Sequence, residues 1–166
     1  MSLRSLLLKS IPFLEDLEFN EFVFQPEIHP SFASSVIEAN LPYKPGIYIV
    51  FDFTSNIKGD LLYVGKAGAN KDGLINSHQI PKRLLAVCYP PDKYLNKMPS
   101  SHPSRNDAWP IMMKEDGISK IIICCFFSKI DSQFMVTAET NPLALEKKVN
   151  KIFKEKGMQQ QWSKRK

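Results

Sequence analysis

The sequence predicts an α+β domain, and three segments carry that prediction. Residues 46 to 67, GIYIVFDFTSNIKGDLLYVGKA, set two stretches rich in Ile, Val, Tyr and Phe on either side of turn-forming Thr-Ser-Asn and Lys-Gly-Asp, the pattern of an antiparallel hairpin. Residues 120 to 127, KIIICCFF, are apolar without alternation, as in a strand buried on both faces. Asn141-Pro142 opens a run in which Leu145, Val149, Ile152 and Phe153 share one helical stripe, with Gly157 as its stop.

The remaining elements follow in chain order. Residues 3 to 17 read as an amphipathic helix through Leu3, Leu7, Leu8, Ile11 and Leu14, and 31 to 40 as a second helix ended by Pro42 and Pro45. The hairpin strands run over 46 to 53 and 61 to 65. Alternation puts Ile47, Ile49 and Phe51 on one face and Tyr48, Val50 and Asp52 on the other. A turn centred on Ser55-Asn56 then sets Tyr48 directly across from Tyr63, with both phenols on one face. Each tyrosine taken singly reads first as a packing residue with its hydroxyl in water. Pro81 opens a short helix to about Cys88 that carries Arg83. Residues 89 to 110 hold five prolines and read as a long irregular insertion. On the last helix Glu146 lies beside the apolar stripe. There it is either a carboxylate at the margin of the core, to be paired or metal-bound, or an ordinary surface glutamate reaching Lys147 or Asn150.

Length and composition bound the function. The 166 residues are one domain's worth of chain, with 1 to 45 expected as an N-terminal extension packed on a core of 46 to 166. With 43% apolar residues among interspersed charge, the expectation is a soluble, cytoplasmic protein. No apolar run approaches the ~20 residues of a membrane span. Cys88, Cys124 and Cys125 give an odd count with no C-x-x-C pair, which argues for reduced core thiols and against a disulfide framework or a zinc site. The net charge of +5 is unevenly spread: residues 1 to 50 carry −3 and residues 51 to 166 carry +8. From Glu146 to Lys166 there are 8 basic and 2 acidic side chains. That bias suits a polyanion such as DNA, or simply a solvated basic helix and tail.

"GIYIV", "YVGKA" fifteen positions on, Arg83 on the next helix, the strand at 120 to 127 and Glu146 in "NPLALEKKVNKIF" form an ordered set that resembles the GIY-YIG nucleases. That family includes restriction enzymes, homing endonucleases and the incision subunit of bacterial nucleotide-excision repair, and the resemblance covers about 46 to 157. It implies a three-stranded antiparallel sheet flanked by helices, and hydrolysis of a nucleic-acid phosphodiester by an endonuclease. By that resemblance Glu146 anchors a single Mg²⁺ or Mn²⁺, an ion able to keep its waters on one carboxylate. Arg83 would meet the non-bridging phosphate oxygens. Tyr48 and Tyr63 would position the attacking water, one of them taking its proton with Lys66 as the assisting cation; Lys66 reads equally as a solvated lysine at a strand end. The chain departs from the family at Val87, where many members carry His or Tyr, and at Met158, Gln159 and Gln160, where an asparagine is common. A glutamine offers a similar amide, and His78 and His102 are either loop replacements for the missing acid–base group or ordinary surface histidines.

Homing and repair members append DNA-binding modules, and none is expected here beyond the N-terminal extension at 1 to 45. The resemblance therefore implies a compact restriction-type enzyme, acting as a homodimer on DNA through the 67 to 80 and 89 to 110 segments. Lys93, Lys97, Arg105 and Asn106 are the expected phosphate or base contacts, unless the second segment is merely a proline-stiffened surface loop. No small-molecule cofactor or membrane partner is expected. Two readings compete with the enzyme: a catalytically weakened or inactive nucleic-acid-binding protein on the same scaffold, and a structural or protein-binding domain. The geometric expectation of the enzyme reading is that both phenols, the Arg83 guanidinium and the Glu146 carboxylate converge on one exposed concave face.

Overall fold

The computed structural model of the chain describes residues 2–86, 90–98 and 104–163. Four strands, β1 (Glu18–Phe24), β2 (Gly46–Asp52), β3 (Leu61–Ala67) and β4 (Ile121–Phe127), form one antiparallel sheet in the order β1-β4-β2-β3. Helices α1 (Leu3–Ser10) and α5 (Pro142–Glu155) cover one face; α2 (Phe32–Ala39), α3 (Ile80–Leu85) and α4 (Arg105–Asp116) cover the other. No helix among the described residues is long and apolar enough to cross a membrane.

The central strand β4 explains its own composition. It pairs with β1 on one edge and β2 on the other, and all seven residues are buried. Ile122, Cys124 and Phe126 face α1 and α5; Ile121, Ile123, Cys125 and Phe127 face the opposite layer. A strand with a core on each side has no polar face to alternate with. Cys124 and Cys125 are free thiols on opposite faces, and burial pushes both well above the ordinary thiol range. Cys88 lies outside the described residues.

The sheet has four strands where three were expected. The extra strand, β1, comes from the N-terminal extension and pairs Glu18 with Phe127 through to Phe24 with Ile121. Its polar residues hide it: only Phe22 and Phe24 are fully buried, and Glu18 and Glu21 face water. The expected helix over 3 to 17 stops at Ser10, because Pro12 cannot donate to the α-helical ladder and turns the chain into a 3₁₀ turn over Pro12–Leu14. Helix α2 lies where it was expected, with a reciprocal cap between Ser31 and Ser34 and a left-handed Asn40 at its end. The irregular insertion is half wrong: residues 92–97 form a 3₁₀ turn, but Arg105 begins a twelve-residue helix that tolerates Pro110 inside it. That helix is held by tertiary contact, since Ala108, Trp109, Met112 and Met113 all enter the core.

Helix α5 follows its sequence signals closely. Asn141 accepts from the Leu143 amide, and Pro142 takes the first helical position. At the far end Gly157 adopts φ +73°, its amide donating to Lys154 O and that of Met158 to Phe153 O, which satisfies the last carbonyls. The chain after α5 then runs beside the edge strand β3. Gln161 N donates to Leu61 O, Trp162 N to Leu62 O, and the Gln160 side chain accepts from Val64 N. This tail covers part of an edge that would otherwise be a template for another strand.

Candidate functional site

Register decides which side chains can meet. Tyr48 stands opposite Gly65, and Tyr63 opposite Val50, so the two tyrosines are diagonal neighbours and not a directly opposed pair. A bulge at Val50/Phe51 and a loop with a left-handed Asn56 replace the tight turn expected at Ser55-Asn56. The phenols do share a face, with ring centroids 6.0 Å apart in a stacked arrangement. The glycine of YVG makes this possible: a Cβ on Gly65 would lie 2.2 Å from Tyr48 Cζ, so the ring occupies the space that any side chain would need. Gly46 is equally constrained, by Phe126 O at 2.1 Å from where its Cβ would stand.

Tyr48 is fully buried at 0% exposure, and its hydroxyl accepts a 2.7 Å hydrogen bond from Arg105 Nη2. Arg105 was expected on a DNA-facing loop; it is 2% exposed. Its Nη1 donates to the carbonyls of Arg83 and Ala86 at the end of α3, 2.9 and 3.2 Å away. The guanidinium carbon lies 5.7, 5.8 and 5.6 Å from the ring centres of Tyr48, Tyr63 and Trp109. A planar, weakly hydrated fork can stack on rings while satisfying several acceptors, which a lysine cannot. Arg105 thus ties three elements together, β2, α3 and α4. Its signal in the sequence is the Ala108-Trp109 pair one turn on, which marks an inward face.

Asn106 is likewise turned to structure. Its Oδ1 accepts from Ala33 N, capping the first turn of α2. Lys93 and Lys97 stay at the surface, each in an ion pair with α4: Lys93 with Asp116 at 3.5 Å, and Lys97 with Glu115. Asp116 also receives Tyr94 OH and Trp162 Nε1, and burial followed by that Asp116 hydrogen bond raises the Tyr94 phenol. His78 is exposed before α3, while Val87 and His102 lie outside the described residues.

Lys66 and Glu146 meet across 80 positions of sequence, Nζ to Oε1 at 3.0 Å. Lys66 belongs to the face of Ile47, Val64 and Leu145, the α5 side of the sheet. Its side chain is 43% exposed and that of Glu146 19%. Arg83 is exposed on α3, on the tyrosine side. Tyr48, Tyr63, Arg83 and Glu146 therefore do not share one concave face. Tyr48 and Tyr63 lie on one side of β2–β3, and Lys66 and Glu146 on the other, because residues of opposite parity in a strand point to opposite faces.

Comparison of the chain with protein-family models, curated proteins and solved structures returns no significant match.

The donor set still bears on a metal. Among the described residues no three His, Cys, Asp or Glu side chains gather as a cage. One carboxylate, whose Oε1 accepts from Lys66, fits a hard cation that keeps most of its waters, as Mg²⁺ does, and does not fit zinc. Beside Glu146, Leu145 is anchored in the core, and Asn150, one turn on, accepts from Gln160 Nε2 at 2.8 Å. Gln160, one of the two glutamines where the resemblance expects an asparagine, has its amide engaged between Asn150 and Val64 N. Next to Glu146 in sequence, Lys147 lines a cleft of about 280 Å³ together with Lys71, Asp72, Gly73, Val136 and Asn141.

Proposed function

We propose that the chain is a metal-dependent endonuclease of the GIY-YIG type, hydrolysing phosphodiester bonds of DNA with Glu146 as the residue that binds the divalent ion. The observation that carries this reading is the Lys66–Glu146 contact. The lysine of YVGKA and the glutamate of the last helix belong to a motif set with a chemical purpose, and they meet at 3.0 Å although nothing in their local sequences requires it. Bound at Glu146, Mg²⁺ would polarise the phosphate and stabilise the leaving oxygen.

The chain's own groups have distinct parts in this reading. Lys66 holds the Glu146 carboxylate in place and, exchanged from it, donates to a phosphate oxygen. Arg83 reaches phosphate from the α3 side with an unburied guanidinium. Tyr48 is a positioning residue, since a hydroxyl with no exposed surface does not meet water; it holds Arg105, and Arg105 holds the end of the helix that carries Arg83. Tyr63, half-buried, is the phenol left for contact with substrate. Restriction-type action as a cytoplasmic homodimer is the matching proposal for biological role.

The placement of the tyrosines and Glu146 on opposite faces favours a second reading, a nucleic-acid-binding scaffold without catalysis. Purified chain incubated with supercoiled and linear DNA, in Mg²⁺ and in EDTA, separates the two when Glu146→Ala is run alongside. Nicking that needs the ion and disappears in the variant is the expected result. Salt-sensitive binding with no cleavage by either protein would sink the enzyme and leave the scaffold. No binding to DNA or RNA at low salt would leave only a structural or protein-binding role.

A further inference from the structure

Two loops at the same end of the sheet are built on one plan. In the first, Asn70 Oδ1 accepts from Asp72 N and Leu74 N, Gly73 N donates to Asn70 O, and Asn70 N donates to Leu74 O. In the second, Asp131 Oδ1 accepts from Gln133 N and Met135 N, Phe134 N donates to Asp131 O, and Asp131 N donates to Met135 O. Each loop is closed by an antiparallel bridge, Ala69 with Ile75 and Ile130 with Val136. Val136 N donates to Gly73 O and joins the two.

The fourth position of this plan is left-handed, and the loops fill it differently. Gly73 has φ +86° and Phe134 has φ +58°. Glycine adopts that backbone freely, whereas for a bulky aromatic it is an outlier. The Phe134 ring does not offset the strain by packing, because the residue is 81% exposed. Backbone strain held by a fully bonded loop, with its side chain turned outward, points to a use for that side chain outside the chain. Leu74, on the adjoining loop, is 54% exposed. Gly73 of the first loop and Val136, two residues after Phe134, line a cleft that also holds Lys71 and Lys147 against one acid, Asp72, and Lys147 follows Glu146 on α5.

An exposed aromatic on a hydrogen-bonded loop, two residues from the lining of a basic cleft, fits a nucleobase and its phosphates, since stacking suits any base and the lysines suit the backbone. We infer that Phe134 is a base-stacking anchor that holds one nucleotide of the substrate while Lys71 and Lys147 take the flanking phosphates. This assignment rests on the nucleic-acid reading proposed above and adds where the strand is gripped.

The test uses the full chain with Phe134→Asn, Phe134→Gly and Phe134→Trp, and DNA oligonucleotides carrying 2-aminopurine, in EDTA so that no cleavage intervenes. Wild type is expected to change the fluorescence of the stacked base. Asn and Gly variants are expected to bind about 5- to 100-fold more weakly, as for one lost base–aromatic stack, and Trp to retain binding. Because Asn and Gly suit the left-handed backbone, their thermal midpoints should equal or exceed that of wild type. Variant affinity within about twofold of wild type overturns the anchor while leaving the nucleic-acid reading intact. So does a midpoint lowered by more than about 4 °C, which assigns the ring to folding, or an effect confined to self-association, which assigns it to a protein contact. Failure of wild type to bind DNA at low salt defeats the underlying reading itself.

Discussion

Replacing Gly65 by alanine tests the tie between the two tyrosine motifs. Inside a strand this change ordinarily favours folding by roughly 0.5–1 kcal/mol, since glycine is the more flexible residue when unfolded. Here the opposite sign is expected. The new methyl would stand 2.2 Å from Tyr48 Cζ, 2.4 Å from its hydroxyl and 2.7 Å from Cε2. The ring has nowhere to go: it is fully buried, stacked on Tyr63 and bonded to Arg105. Overpacking a core costs about 1–3 kcal/mol, and a hydrogen bond from a charged donor lost with the ring's shift costs about 1.5–3 more. A loss of roughly 3–5 kcal/mol lowers the thermal midpoint of a chain this size by about 10 °C or more. Urea denaturation and thermal melting followed by circular dichroism measure it. Combining Gly65→Ala with Tyr48→Leu should recover at least ~1 kcal/mol relative to the sum of the single changes. A Gly65→Ala protein that melts at or above wild type would refute the close approach.

Three further predictions follow from the same geometry. Arg105→Lys keeps the charge but loses the fork that serves Tyr48, Arg83 O and Ala86 O, so urea unfolding should show a loss of about 2–4 kcal/mol, while DNA affinity measured well below the unfolding midpoint changes less than about threefold. Lys66→Met and Glu146→Gln break a pair that is partly solvated, so each should cost under about 1 kcal/mol of stability even where nicking is abolished, and melting compared with cleavage separates the two effects. In a Cys88→Ala background, Cys124 and Cys125 should resist a thiol reagent at pH 8 until the chain unfolds. Because their folded-state values are raised, the stability they support is complete below the free thiol value of about 8.5 and declines as pH rises above it, when the unfolded chain alone loses protons. Comparing urea midpoints from pH 8 to 10 with those of a Cys124→Ala, Cys125→Ala variant checks the sign.

Local signals were enough for several elements. Asn141, Pro142 and Gly157 state the ends of α5 in side-chain and backbone terms that act within one turn, and the apolar run of β4 announces a strand with a core on each side. Lys66 was expected as the cation beside the tyrosines; strand parity puts it on the other face, where it pairs with Glu146. Strand β1 was hidden because Glu18, Asn20 and Glu21 leave only Phe22 and Phe24 as a pattern, and its partner β4 lies about a hundred residues away in the chain. Helix α4 was hidden because Pro110 reads as a breaker, and only the burial of Trp109, Met112 and Met113 outweighs it. Arg105 and Asn106 looked like loop side chains for DNA because charge and polarity in a sequence carry no direction.

By itself, then, the sequence determined the class of the fold, its hairpin, its central strand and its last helix, all of which depend on neighbours within a few turns. Only the tertiary structure decided which tyrosine stands opposite which residue, which face of the sheet each side chain occupies, and that an arginine lies inside an aromatic box. Those outcomes turn on strand parity and on a missing Cβ at Gly65, where a shift of one residue exchanges core for surface.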